Sequence, residues 1–414
     1  MISVEKALKT ILTNAKLLGV EKINIINAQR RVIADNIYAN RDIPSADNSA
    51  MDGYALRWAD TKGATKNNPV WLEIIEEIPA GKIPQKKILT KKASRIMTGA
   101  IIPKGADAII RQEDTIRNGK KVAVLKPVDK KKDIRLAGED VRKGELVIPQ
   151  SSILSPAQIG MLASLGREYI SVYKKPRVAI MTTGDELVDI SINPPPGKVV
   201  NSNGYSLASL AIDCGGVPLV LGISKDNKSA LRKKFTAALK ADVIISSGGV
   251  SVGDYDFVKD IMAEMGNSMS FWQVAMRPGK PLAFGDIKGV PLFGLPGNPV
   301  STMVSFEQFV RPYLLKIQGH KNIFRPSLKA ISAQALKKDA GTKQFLRAIV
   351  KKEKGKYFAK TTGDQGSGIL KSMVAANALI VLHEKEIKIN KGGAVTVQLL
   401  DDSLFRANSF LNGI

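Results

Sequence analysis

From about Lys174 to Gly319 the chain alternates short apolar runs with helical stretches, and this alternation restricts the fold more than any other feature. Val178–Met181, Leu219–Gly222, Val243–Ser246 and Pro291–Gly294 read as strands. Helical patterns near Tyr205–Asp213, Ser229–Leu239 and Phe257–Met265 lie between them. A βαβα order implies a parallel sheet covered on both faces. Two of the strands run into Gly-rich loops, Met181-Thr-Thr-Gly-Asp-Glu186 and Ser246-Ser-Gly-Gly-Val-Ser-Val-Gly253 with Asp254 and Asp256. Ligands of open α/β sheets sit outside the carboxyl ends of the strands. Glycine lets the backbone approach a ligand there, and free N–H groups bind anionic oxygens. Carboxylates beside such a loop point to a cation such as Mg²⁺ bridging them to a phosphorylated ligand.

Other classes are excluded or disfavoured. The second loop is no Walker loop, because Gly-Lys-Ser/Thr occurs nowhere, and it lacks the dinucleotide-binding GxGxxG spacing. Cys214 is the single cysteine, so disulfides within the chain and thiolate zinc sites are ruled out. His320 and His383 are the only histidines and neither lies in a motif, which argues against His-based acid–base chemistry. A reducing cytoplasm fits this usage. No window approaches the ~20 apolar residues of a membrane helix, and the start reads as an amphipathic helix rather than a signal peptide. The formal charge is +24, from 62 Lys and Arg against 38 Asp and Glu. These lysines are scattered and aromatics make up only 6%, so a nucleic-acid partner is disfavoured. The basic surface would still draw an anionic substrate at low salt.

Length alone, 414 residues, points to about three domains. Residues from Ser3 to about Ala39 read as helical, with Ala7, Ile11, Leu17 and Leu18 near helical spacing. Trp71–Ile78, Ala108–Gln112 and Lys121–Leu125 read as strands of a small β-rich insert. Leu154–Leu165 is an expected helix opened by Ser155-Pro156. A long amphipathic helix should follow Pro296-Gly-Asn-Pro-Val-Ser301 and end near Gly319. Gln344–Val350, Tyr357–Thr361, Ala378–His383 and Ala394–Leu399 read as strands of a separate β tail.

Several segments could each be ordinary structure. Asp47–Ala55 reads equally as a capped turn, Arg95–Ala100 as a strand ending in a Gly turn, and Gly138–Gly144 as a hairpin or loop. Asp185 fits a helix cap. Asn201-Ser-Asn-Gly204 suits both a helix N-terminus and a phosphate site. Arg277-Pro-Gly-Lys-Pro281 is either an exposed basic turn or a rigid holder aiming two cations at one oxyanion.

Together and in this order, these segments resemble the molybdopterin molybdenumtransferase family, the bacterial MoeA type related to the C-terminal part of gephyrin. The matching stretches are Pro44–Ala55, Ile96–Ala100, Gly138–Gly144, Thr183–Leu187, Ser247–Gly253, Arg277–Pro281 and Gly294–Ser301. Two places depart: Arg277 stands where Lys is expected, which keeps charge but changes geometry, and the tail matches only at Gly363–Gly368.

The resemblance implies a multidomain α/β plus β fold. Its parts are a discontinuous helical linker domain (1–50 and 133–172), a β-rich insert (51–132), a central three-layer α/β molybdopterin-binding domain with a mostly parallel sheet (173–324) and a C-terminal β-barrel-like domain (325–414). It implies a homodimer whose site forms between the α/β domain of one subunit and the N-terminal domains of the other. The implied reaction inserts molybdate into adenylylated molybdopterin, with Mg²⁺-dependent release of AMP. Asp52, Asp140, Glu186 and Asp256 would then be catalytic carboxylates, with Glu186, Asp254 and Asp256 on the metal. Thr98, Asp185, Asn203, Ser247, Gly248, Gly249, Ser251 and Pro281 would bind the pterin phosphate and its surroundings. Arg277, Lys280 and Ser301, with Arg347 and Ser367 from the tail, would receive molybdate. Contacts with the molybdopterin adenylyltransferase and with molybdoenzyme chaperones belong to the same implication. The competing readings are the adenylyltransferase itself, and a scaffold or nucleic-acid binder using the basic surface. The segments around Asp52 and Asp140 weigh against the first, and the acids retained in the loops weigh against the second.

Overall fold

The protein was analysed as a computed structural model, which describes residues 1–249, 261 and 263–405. Its central sheet has six strands in the order 217–224, 177–183, 243–247, 290–295, 281–287, 267–273. The first four are mutually parallel, and the last two are added through antiparallel pairings, 281–287 against 290–295 and 267–273 against 281–287. Successive side chains of a strand point to opposite faces. Val178, Ile180, Val243 and Ile245 therefore pack into one core with the Ser202–Asp213 helix and the helical stretch from Pro299 to Ile317. Ala179, Met181 and Ile244 pack into a second core with the Lys228–Ala238 helix. Both faces are thus dry, as the continuous apolar runs require. The expected strands all form. The two antiparallel strands were not expected, and they lack the βα alternation that revealed the others. The Phe257–Met265 helix falls mostly outside the described residues.

The long helix expected after Ser301 is real but irregular. Pro299–Ser305 and Arg311–Ile317 are α-helical, and Phe306–Val310 between them is a π-turn.

The chain forms two further six-stranded sheets. The first orders 108–111, 53–56, 92–96, 70–78, 121–124 and 115–118. In the second, strands 343–353, 356–361, 327–332, 394–399 and 378–382 follow one another. The 343–353 strand also pairs with 378–382, which closes a five-stranded barrel. Met276–Arg277 adds to that barrel beside Lys343 and Gln344.

The helical reading of Ser3 to Ala39 is corrected. Only Val4–Thr13 is helical, capped by Ser3. Val20–Asn24 is a strand paired with Tyr169–Tyr173, and Ile37–Tyr38 pairs with Leu146–Ile148. The reason is long-range. A β-branched segment (Val20, Ile23) finds a strand partner almost 150 residues away, and tertiary pairing overrides a marginal helical spacing. Pro156–Ser164 is helical as expected, with Ser155 and Gln158 forming a capping box. No described helix is long and apolar enough to cross a membrane.

Candidate active site

Strands 177–183, 243–247 and 290–295 all end at one cleft of about 650 Å³. Thr183, Gly184, Glu186, Asn203, Gly248, Gly249, Pro281 and Ser301 line it. The chain approaches itself closely there. Gly248 has φ +89°, and a Cβ on it would lie 2.3 Å from the Thr183 carbonyl oxygen. Only glycine fits that contact and that backbone. Asn203 ties three loops together. Its Nδ2 donates to Ser247 Oγ at 2.9 Å and to the Gly297 carbonyl at 2.7 Å, while Ser247 Oγ donates to the Pro296 carbonyl. Ser247 is thus the buried brace of the floor, with 2% of its surface exposed. Thr183 Oγ1 and Asn203 Oδ1 are buried with no partner among the described residues, and such atoms call for a polar ligand or water.

The rim of this cleft is acidic. Asp185, Glu186 and Asp226 interact there. Burial, then the charge of Asp185 and that of Glu186, raise the Asp226 carboxyl above its usual range. The Asp226 N–H donates to Asp185 Oδ1 at 3.2 Å, and Lys198 Nζ donates to the Asp185 carbonyl at 2.6 Å. Asp226 and Lys198 were missed in the sequence. Asp226 follows a parallel strand just as Asp185 does, so the same strand-end rule would have found it.

A second cavity of about 880 Å³ is lined by Arg277, Lys337, Lys338, Gln344, Arg347, Gly363–Gly366 and Lys388, among others. Arg347 is wholly buried. Its guanidinium donates to Ser372 Oγ and to the Gly366 carbonyl, both at 3.0 Å. No carboxylate forms an ion pair with it among the described residues, and burial lowers its pKa. The Gly363–Gly368 loop joins the two cavities. Asn298 Nδ2 donates to Ser367 Oγ at 3.0 Å, Val300 N–H donates to the Ser367 carbonyl, and Gly368 lines the first cleft. The Arg277–Pro281 turn also spans both, with Arg277 on the second cavity and Pro281 on the first. Lys280 is exposed on this turn.

Asp52 and Asp140 do not line either cavity. Asp52 sits on the insert sheet, where Thr98 N–H (2.7 Å) and Thr98 Oγ1 (2.8 Å) both donate to its Oδ1. These two donors, with Arg95 nearby, hold its carboxyl below the usual range. Asp140 is exposed, and its N–H donates to the Ile43 carbonyl. Ser251, Asp254 and Asp256 lie outside the described residues.

The donor set fits Mg²⁺. Asp185, Glu186 and Asp226 offer hard oxygen ligands near one rim, where burial first, and then the charges of Asp185 and Glu186, raise the Asp226 carboxyl. Among the described residues no group of three acids, histidines or cysteines is arranged to hold a metal ion by itself.

A cleft at the carboxyl ends of parallel strands, with an acidic rim and a basic neighbour, marks the chain as an α/β protein with a polar ligand site at its sheet edge. Comparison with known proteins narrows this. The chain matches the MoeA N-terminal region (domain I and II) over residues 2–166, a probable molybdopterin binding domain over 179–316, and the MoeA C-terminal region (domain IV) over 329–400. It is 37% identical to a molybdopterin molybdenumtransferase of Haemophilus influenzae, covering 91% of this chain and 93% of that protein. The one from Bacillus subtilis is 35% identical, over 96% and 94%. A crystal structure of a molybdopterin biosynthesis moeA protein from Pyrococcus horikoshii superposes with a TM-score of 0.82 at 32% identity, over 96% of this chain and all of that one. The chain belongs to the MoeA family of molybdopterin molybdenumtransferases, and it is an enzyme of molybdenum cofactor biosynthesis.

Proposed function

We propose that the enzyme inserts molybdate into adenylylated molybdopterin with Mg²⁺-dependent cleavage of the phosphoanhydride and release of AMP, in the cytoplasm and as a homodimer. One observation carries this reading: a single turn, Arg277–Pro281, and a single loop, Gly363–Gly368, lie between an acid-rimmed cleft and a cavity lined by five cationic side chains against two carboxylates. A phosphoanhydride with its metal suits the first, and an oxyanion suits the second.

In this reading Glu186, with Asp185 and Asp226, would hold Mg²⁺, and Asp254 and Asp256 would be further ligands. The ion, when bound, would supply charge neutralisation for the phosphoanhydride. Glu186 and Asp256 orient the attacking water. Gly248 and Gly249 present a backbone that a phosphate can approach closely, and Asn203 keeps that floor rigid through Ser247 and Gly297. Ser251 adds a hydroxyl. Arg277, Lys280 and Ser301 receive molybdate. Arg347, buried with no ion pair among the described residues, adds positive potential to the same cavity and fixes the loop that carries Ser367. Asp52, Thr98 and Asp140 complete the site from the partner subunit. They lie outside both cavities of their own chain, and the Asp52 carboxylate is already oriented by Thr98. The domain division at 1–50 with 133–172, 51–132, 173–324 and 325–414 is part of this reading. It is supported by one six-stranded sheet falling almost wholly within each of the last three segments. Contacts with the adenylyltransferase and molybdoenzyme chaperones remain consequences of the same assignment.

The test is direct. Purified protein given adenylylated molybdopterin, molybdate and Mg²⁺ should release AMP and molybdenum cofactor in equal amounts, and chelation should stop both. AMP release at full rate after exhaustive chelation would count against the metal. Lys280→Ala should raise the molybdate concentration required while leaving adenylylated molybdopterin affinity within a few-fold. Collapse of nucleotide affinity with unchanged molybdate dependence would make Lys280 a phosphate ligand instead.

A further inference from the structure

Arg277 and Lys280 carry long, exposed side chains, so the position of their charges depends on the backbone of the turn between them. That turn is closed at its base, where Val274 N–H donates to the Lys280 carbonyl at 3.0 Å. Gly279, at φ +102°, presses on the Pro299–Ser305 helix, and a Cβ on it would lie 2.5 Å from Ser305 Oγ. The segment entering the turn is held at two successive points. Ile2 bridges Val274 in parallel: Ile2 N–H donates to the Gln273 carbonyl at 3.2 Å, and Ala275 N–H donates to the Ile2 carbonyl at 2.8 Å. Just beyond, Lys343 N–H donates to the Ala275 carbonyl at 3.0 Å, with Met276 opposite Lys343 and Arg277 opposite Gln344. An ion pair between Glu5 and Lys343 ties the two holding segments to each other. Lys343 is nearly buried, at 11% exposed, and holds the Glu5 carboxyl below its usual range. Val4, Ala7 and Ile11 lie in the same core as Val274, Met276 and Phe345.

We infer that the amino-terminal segment, through Ile2 and the Glu5–Lys343 ion pair, is a positioning element that holds the Arg277–Lys280 turn in register for its oxyanion. The inference rests on the molybdate reading of that turn. Ile2 and Glu5 line neither cavity. They act through the backbone that carries the cations, and a displacement of about 1 Å in such a backbone is enough to change a rate constant or a binding step strongly. Nothing in a local reading of residues 1–13 links them to a turn some 270 residues later.

Three measurements test this on the full chain. Hydrogen exchange at the amides of Val274 and Ala275 reports the clamp directly. Glu5→Gln and Lys343→Met should each speed it about tenfold, while exchange in the 177–183 strand stays unchanged. In turnover, both variants should raise the KM for molybdate about five- to tenfold at nearly unchanged kcat. The charge swap Glu5→Lys with Lys343→Glu should restore both readouts, which a loss of general stability would not do. Lys280→Ala serves as the reference for the site itself. If it raises the molybdate KM and the two clamp variants do not, the positioning role is wrong. If Lys280→Ala leaves molybdate dependence alone, the molybdate reading fails, and the exchange rates alone then decide the clamp. Unchanged exchange at Val274 and Ala275 overturns it in every case.

Discussion

Gly248 shows how little freedom a single position in this site retains. Its positive φ and the 2.3 Å approach of the Thr183 carbonyl exclude any side chain. Gly248→Ala is expected to cost about 1–3 kcal/mol through strain alone. It should also push the second Gly-rich loop away from Thr183. Thermal unfolding together with substrate affinity checks this, since an unchanged melting temperature would contradict the close approach. At Asp52 the effect is electrostatic. Two Thr98 donors lower its pKa in the folded state, so folding is favoured above the unfolded value of about 3.9. That contribution is lost as pH falls through the lower, folded value. Thr98→Val removes the hydroxyl donor and keeps the N–H. It should raise the Asp52 pKa part of the way back, as read by carboxyl carbon NMR against an Asp52→Asn reference. The pH-dependent part of the stability difference between the wild type and Thr98→Val should vanish at pH values below the folded pKa, where Asp52 is protonated in both.

Among the elements, the stretch from Pro299 to Ile317 connects the most. It enters at the cleft with Ser301, and its π-turn carries Glu307, which is only 4% exposed. Glu307 accepts two bonds from Arg325, at 2.9 and 3.0 Å, and lies 3.8 Å from Arg311. Arg325 stands just before the first barrel strand, Ser327–Ser332. Gln308 on the same turn bonds Gln398 at 2.7 Å. One helical turn thereby joins the central sheet to the barrel. Removing one partner of a buried ion pair leaves the other charge uncompensated, at about 3–5 kcal/mol. Glu307→Gln should approach that loss, whereas Glu264→Gln, whose partners Lys228 and Arg232 are solvent-exposed, should cost about 1 kcal/mol or less. Chemical denaturation of the two variants side by side checks the contrast.

At the scale of the whole molecule, the proposed carboxylates fall into two groups that one chain does not bring together. Glu186 lines the central cleft, while Asp52 and Asp140 line neither cavity. A site shared between two subunits makes a specific prediction. Asp52→Asn and Glu186→Gln homodimers should each be nearly inactive. After subunit exchange, half of the dimers are hybrids with one of two sites intact, so about a quarter of the wild-type rate should return. No recovery in mixtures shown to have exchanged subunits would place all catalytic groups within one chain. The size of the particle in solution, measured by sedimentation, is the accompanying control.

Local pattern carried most of the central unit. Strands buried on both faces, helices between them and glycines at strand ends are dictated by residues within a dozen positions of one another, so periodicity and turn chemistry expose them. The same local logic placed Glu186, Asn203 and Gly248 at one cleft, and a more even use of it would have added Asp226. Pairing between distant segments was not legible. Val20–Asn24 became a strand because Tyr169–Tyr173 offered an edge, and the antiparallel strands 267–273 and 281–287 joined a sheet whose order no local window encodes. The meeting of Ser367 with Asn298 and the Ile2–Val274–Lys343 clamp arise from contacts across nearly 70 residues or more of chain. Such contacts form because the chain closes a loop to bury apolar surface, and the free energy for that comes from packing rather than from local preference.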